Sequence, residues 1–242
     1  MGNLTDDIQI ETEIAYQDIP HFPISTVKSH QSKLLFGTLA GVPIVAMAGR
    51  FHYYEGYSMR EVTFPIRVLH LLGIEKLILS NVSGSTNAAL EAGDIVFVKD
   101  HINLQPENPL RGENDERLGP RFPDMLHTYD PQMLQLAEQI AQQNNIKTHR
   151  GIYVALQGPN LETPAEYGFL HRIGGDLVGM STVPEVIVAR HSGLSVFVIS
   201  VVSNKCFPIE EIQMTTLESV IEIAQKAEPK MRLIVKELLQ QL

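Results

Sequence analysis

Ser195-Val196-Phe197-Val198-Ile199-Ser200-Val201-Val202 is nearly all apolar, and this run decides the fold class. A strand with one wet face alternates apolar and polar residues, whereas a strand covered on both faces reads as a continuous apolar run. Moving outward, strands alternate with helices. Residues 177–180 read as a short strand, after which Ser181 is expected to cap a helix ending at Gly193. Thr163-Pro164-Ala165-Glu166 is a capping box with proline at the first helical position, and its helix runs to Ile173 before Gly174-Gly175. Strands are expected at 34–39, 44–48, 76–79, 94–98 and 151–156, and helices at 60–72 and 131–144. Gly41 is free to take a positive φ between the first two strands. Ser80-Asn81-Val82-Ser83-Gly84-Ser85 reads as a polar turn, and 101–129 as a long irregular stretch of the kind that is usually functional. The amphipathic segment 216–242 reads as a helix bent or broken at Pro229. This pattern predicts an α/β sheet with helices on both faces.

In such sheets ligands sit where loops leave the strand ends. Three polar segments lie there: Gly49-Arg50-Phe51-His52-Tyr53-Tyr54-Glu55-Gly56, Ser80 to Gly84, and Ser203-Asn204-Lys205. A fourth, Gly179-Met180-Ser181, sits at a strand-to-helix junction. Composition narrows the ligand. With 19 basic against 28 acidic residues the net charge is −9, which disfavours a broad nucleic-acid or anionic-membrane footprint. It leaves room for one small anion held by local cations. No apolar run approaches the ~20 residues that span a bilayer. The start is acidic where a signal peptide is basic, and Asp6 stands where a myristoylation signal has Ser or Thr. The single cysteine, Cys206, makes no internal disulfide and suits a reducing compartment, so a cytoplasmic protein is expected. Phosphate-loop, dinucleotide, zinc-protease and serine-hydrolase signatures are absent, and the nine histidines show no metal-ligand spacing. A metal-free site is expected.

Arg50 and His52 sit two apart after a strand, on one face of an extended segment. Arg50 offers a planar fork to an oxyanion and His52 a second donor. Ser181 begins a helix, where backbone N–H groups favour an anion. Glu162 and Asn204 offer a carboxylate acceptor and an amide with both donor and acceptor, suited to the edge of a heterocycle. Each also has a plain structural role open to it: a surface salt bridge for Arg50, a core histidine for His52, an N-cap for Ser181, a helix-dipole contact for Glu162 and a turn start for Asn204. Pattern alone reaches an α/β protein that binds a small anionic or heterocyclic ligand.

Longer strings go further. Gly49-Arg50-Phe51-His52 with Tyr54-Glu55-Gly56-Tyr57, Asp100-His101-Ile102-Asn103-Leu104, Asn108-Pro109-Leu110-Arg111-Gly112 with Asn114-Asp115-Glu116-Arg117, Gly158-Pro159 with Glu162-Thr163, Val178-Gly179-Met180-Ser181-Thr182-Val183-Pro184-Glu185-Val186, and Asn204-Lys205 together resemble the purine nucleoside phosphorylases of the trimeric, low-molecular-mass class. The likeness runs from about residue 15 to the C-terminus. It implies a single domain over 1–242 built on a central mixed sheet. The implied reaction is reversible phosphorolysis of 6-oxopurine nucleosides such as inosine and guanosine, with inorganic phosphate as co-substrate and no cofactor. By resemblance, Arg50, His52, Ser181 and the Val82 N–H would hold phosphate. Tyr54 and Met180 would pack on the ribose, with Phe122 supplied by a neighbouring subunit of a homotrimer. Glu162, Asn204 and Val178 would line the base, and His52, Glu162 and Asn204 would carry the catalysis. Asparagine at 204 suits a 6-oxo group; related methylthioadenosine phosphorylases carry aspartate there.

Three departures stand out. The family opens with an apolar strand and a phosphate loop, and the start Met1-Gly2-Asn3-Leu4 reads as lying inside or just after that loop. Leu161 stands where the family often has phenylalanine, so aromatic packing on the base is lost. No histidine stands near Thr216-Leu217-Glu218, where one for the ribose 5′-hydroxyl is expected. Two other readings follow: a phosphorylase of 5′-methylthio nucleosides, suggested by apolar Leu217, and a catalytically weak nucleoside-binding subunit.

Overall fold

In a computed structural model that describes residues 2–26 and 31–242, the chain runs β1 (Gln9–Ala15), β2 (Lys33–Leu39), β3 (Val42–Met47), α1 (Met59–Leu71), β4 (Lys76–Ser85), β5 (Ile95–Asn103), α2 (Pro131–Gln143), β6 (Thr148–Ala155), α3 (Pro164–Arg172), β7 (Leu177–Gly179), α4 (Val183–His191), β8 (Ser195–Lys205) and α5 (Leu217–Gln241). Met1, the first residue of the start singled out above, lies outside the described residues. The mixed sheet is present and closes on itself in the order β4-β7-β6-β5-β8. β4 pairs β8 in parallel along its whole length, and β7 only at Gly84 and Ser85. Val96 to Val98 and Val196 to Ile199 are buried to the last atom on both faces, which is why these strands read as unbroken apolar runs. The rings of Phe97 and Phe197 meet at 5.3 Å in this core. α1 packs on α4, α2 on α5, and α5 against β8.

The strands expected at 34–39 and 44–48 form, but in a separate antiparallel sheet ordered β1-β2-β3. Ala40 and Gly41 join β2 to β3 with φ of 53° and 81°, the positive pair that a two-residue hairpin demands. β1 carried no sequence signal because its side chains are nearly all exposed, so main-chain pairing to β2 rather than burial defines it. A 3-10 turn, Gly2–Asp7, precedes it, and the Asp7 carboxylate takes Arg232 and Lys236 of α5.

Four expectations are corrected. The polar turn at 80–85 is the second half of β4. Its polar side chains are satisfied inside the sheet, with Ser200 Oγ donating to Asn81 Oδ1 at 2.6 Å and Ser83 and Ser200 hydroxyls 2.7 Å apart. β8 likewise continues through Ser203, Asn204 and Lys205. Ser181 is not the cap of α4; Thr182 is, and its N–H donates to Glu185 Oε2 at 3.0 Å. α5 runs unbroken through Pro229, because Ala227, Glu228, Met231, Ile234 and Val235 on both sides of it are buried. The irregular stretch is real from residue 104 to 130, between β5 and α2. Where β4 meets the end of β8 the register slips by one: Ser83 pairs Val202 and Gly84 pairs Asn204, leaving Ser203 as a bulge. Among the described residues no helix is long and apolar enough to cross a membrane.

Candidate functional site

One cavity of about 1200 Å³ takes in residues from all the strand-end segments. Apolar Leu39, Ile44, Leu77, Leu79 and Val235 line it together with the polar strand-end residues. Arg50, His52, Tyr54, Val82, Leu161, Glu162, Val178, Met180, Ser181 and Asn204 all line it.

At the cationic end, the chain leaves β3 through Gly49, whose carbonyl accepts from the buried Tyr16 hydroxyl at 2.8 Å. This fixes the entry to Arg50. Arg50 Nη1 donates to the Ser80 carbonyl at 2.9 Å and to Ser181 Oγ at 3.2 Å, while Nε lies 3.4 Å from the Glu185 carboxylate. Glu185 is buried, and burial raises its carboxyl above the usual range while Arg50 pulls it back. His52 Nδ1 meets Glu55 Oε1 at 3.0 Å, and the same oxygen accepts from the His52 N–H. The other Glu55 oxygen takes the Thr26 N–H and hydroxyl, both at 2.7 Å. Burial pushes the Glu55 carboxyl up, but the bonds from Thr26 and His52 outweigh it and hold the group ionised. An ionised Glu55 puts the proton on His52 Nδ1, which sets the ring's tautomer and orientation. Tyr54 stacks on that ring at 4.7 Å.

At the opposite end, the amide of Asn204 is oriented from both sides. Ser203 Oγ donates to Oδ1 at 2.6 Å, and Nδ2 donates to Cys206 Sγ at 3.2 Å. Burial pushes the Cys206 thiol up to about 11, so it stays protonated. Gly84 forms the floor: a Cβ there would stand 2.6 Å from Cys206 Sγ and 3.3 Å from Val178. Glu162, just before the Thr163 cap of α3, is half-buried; burial raises its carboxyl, and the nearby Tyr167 hydroxyl opposes this. Leu161 beside it is exposed, and Leu217, Thr215 and Val220 line the remaining wall. Among the described residues no group of three or more His, Cys, Asp or Glu is placed to hold a metal.

All the expected residues share this cavity except Phe122, which is 86% exposed on the irregular stretch, with the Arg121 guanidinium over its ring. The expectations missed Glu55, Thr182, Glu185 and Ser203. A signal existed for two of them: Thr182-Val183-Pro184-Glu185 has capping-box spacing. Ser203 stood only within a polar strand-end segment, and its contact with Asn204 carries no sequence signal, since adjacent strand residues ordinarily face apart.

Comparison with known proteins follows the same line. The family model described as "Phosphorylase superfamily" matches residues 1–240, further toward the start than the motif strings reach. A Bacillus subtilis (strain 168) protein named purine nucleoside phosphorylase 1 is 47% identical over 241 residues, covering 100% of this chain and 89% of its own length. The crystal structure of isoform 2 of purine nucleoside phosphorylase from Schistosoma mansoni, in complex with cytosine and ribose-1-phosphate, superposes with a TM-score of 0.95 at 41% identity, covering 100% of this chain and 87% of its own. A Schistosoma mansoni purine nucleoside phosphorylase in complex with inosine superposes at 0.93 with 43% identity, over 100% and 87% of the two chains.

Proposed function

This chain belongs to the phosphorylase superfamily, among its purine nucleoside phosphorylases, and from that premise we propose that it cleaves 6-oxopurine nucleosides and 2′-deoxynucleosides with inorganic phosphate. The observation that carries this reading is the cavity that holds the Arg50 guanidinium, His52 and Ser181 together with an oriented amide and a carboxylate. Arg50, His52, Ser181 and the Val82 N–H hold phosphate. A phosphate oxygen attacks the anomeric carbon as the C1′–N9 bond breaks, and the bonding pair leaves with the purine. Tyr54 and Met180 pack on the ribose. Glu162 accepts from N1–H and Asn204 Nδ2 donates to O6, with Val178 and Leu161 as walls. Charge growing on O6 of the departing base is thus met by an amide donor already in place, the arrangement that contributes most in such reactions. Phosphate is a co-substrate and no cofactor takes part.

The reading extends to a homotrimer in the cytoplasm, in which Phe122 completes the ribose site of a neighbouring copy. Its support is an exposed phenylalanine standing away from its own chain's cavity.

A second reading rests on Leu217. Leu217, Thr215 and Val220 make one wall of the cavity apolar, and an apolar wall at the ribose 5′ position favours a 5′-methylthio group over a hydroxyl. The deciding experiment measures phosphate-dependent hypoxanthine release from inosine and from 5′-methylthioinosine, with Asn204→Ala as control. Release from inosine that needs both phosphate and Asn204 is expected. Faster release from the methylthio compound selects the second reading. Binding without release from either substrate would leave a nucleoside-binding subunit.

A further inference from the structure

Three threonines cap helices in this molecule, and one of them does not behave like the others. Thr163 and Thr216 have extended backbones, with φ of −72° and −114°, and their hydroxyls accept from the N–H of Glu166 and Ser219. Thr182 has φ 73° and ψ −56°. The Val183 N–H donates to the Ser181 carbonyl at 2.8 Å, closing a three-residue γ-turn of the strained hand. A β-branched residue is among the worst choices for that conformation, and glycine the best. Strain of this kind persists only where the surroundings over-determine it.

The surroundings show what the threonine is for. It is buried, and its Oγ1 is engaged by groups outside α4. It accepts from Asn81 Nδ2 at 3.0 Å, lies 2.9 Å from Ser181 Oγ, and accepts from Arg50 Nη1 at 3.5 Å, the longest of the three. Asn81 is itself held by Ser200 Oγ at 2.6 Å. The Thr182 N–H goes to Glu185, whose carboxylate also meets Arg50. The turn therefore aims Ser181 at Arg50, and the hydroxyl locks the turn to β4.

We propose that Thr182 is a positioning residue for the anion. Its strained turn and hydroxyl hold Ser181 and Arg50 on one point before phosphate arrives. The inference rests on the reading that this end of the cavity takes phosphate. Neither phosphate nor nucleoside needs to touch Thr182 for it to act, so its substitution should change one Michaelis constant and not the other.

Thr182→Gly is the central variant, because glycine takes φ 73° without penalty and the fold is kept while the hydroxyl is lost. The KM for inorganic phosphate should rise about tenfold or more, as expected when a bond to a charged group is left unmade. The KM for inosine should stay within about twofold, and Tm should hold or rise. Thr182→Ser, which keeps the hydroxyl, should bring the phosphate KM back to within about threefold of wild type. An unchanged phosphate KM in Thr182→Gly overturns the proposal. So does an equal rise in both constants that Thr182→Ser fails to reverse, since that marks a merely structural role. If wild-type turnover itself ignores phosphate, the phosphorolysis reading falls first and this inference with it.

Discussion

Replacing Asn204 by aspartate tests the proposal that its amide reads the 6-position of the base. Ser203 Oγ holds Oδ1 at 2.6 Å and Cys206 Sγ receives Nδ2 at 3.2 Å, so the amide presents a fixed donor and a fixed acceptor. Aspartate deletes the donor and sets a carboxylate oxygen where O6 of inosine would lie. The lost bond, with an unpaired oxygen in its place, costs about 1.5–3 kcal/mol, or roughly 10- to 150-fold in kcat/KM. Adenosine changes the other way, because N6–H₂ donates to the new carboxylate in a charge-assisted bond. The inosine-to-adenosine ratio of kcat/KM should therefore fall by about 10²-fold or more. The assay is phosphate-dependent base release from each nucleoside at subsaturating concentration. Ser203→Ala supplies the internal control: with Oδ1 released, the amide is free to flip, and the ratio should fall by a smaller factor of about 3–10. A ratio in Asn204→Asp within about threefold of wild type would refute the reasoning, because the 6-position would then be read by another group.

Two further outcomes are expected. Light scattering should give a homotrimer near three times 27.0 kDa, and Phe122→Ala should raise the nucleoside KM by about tenfold through lost aromatic packing while leaving the fold intact; a stable monomer at micromolar concentration contradicts this. Asp7→Asn should cost about 0.5–1 kcal/mol, a discounted figure because the side chains are 24% and 27% exposed. The Arg232 hydrogen bond lowers the Asp7 carboxyl, so this contribution is present above the ordinary aspartate value and lost as pH falls through the lower folded one. The Tm gap between variant and wild type should thus be full at pH 7 and shrink as pH falls below the ordinary aspartate value; a gap that does not change with pH would show that no carboxylate pairing is involved.

Much of the architecture was legible because burial writes itself into side-chain type. The runs around Val96 and Val196 are apolar on both faces, and the α/β pattern follows from them. The two strand errors, at 80–85 and 203–205, share one cause. Asn81, Ser83 and Ser203 are polar and yet lie in strands, because each finds its partner across the sheet rather than in water, and Asn204 finds its own in Ser203 and Cys206 along the chain. Sequence polarity cannot distinguish a hydroxyl paired in the core from one in a turn. β1 escaped notice for the opposite reason, burying too little to leave a pattern. The site residues were legible as strings, but their supports were not. Glu55 holds His52 from three positions along the chain, whereas Glu185 reaches Arg50 from a distant helix, a contact that only the fold creates.

The bulge at Ser203 has a consequence for how this protein can change. Upstream of it, every residue of β8 from Val196 to Val202 is locked into the core, where altering a single methylene is felt. At the bulge the alternation of faces is broken, so Ser203 and Asn204 turn to the same side and bond to each other. The strand is thereby divided into a packed shaft and a head that presents Asn204 to the cavity. On the proposed reading of the site, an exchange at Asn204 retunes which base is accepted while the shaft, and Cys206 packed with Tyr167 and Val178, stay as they are.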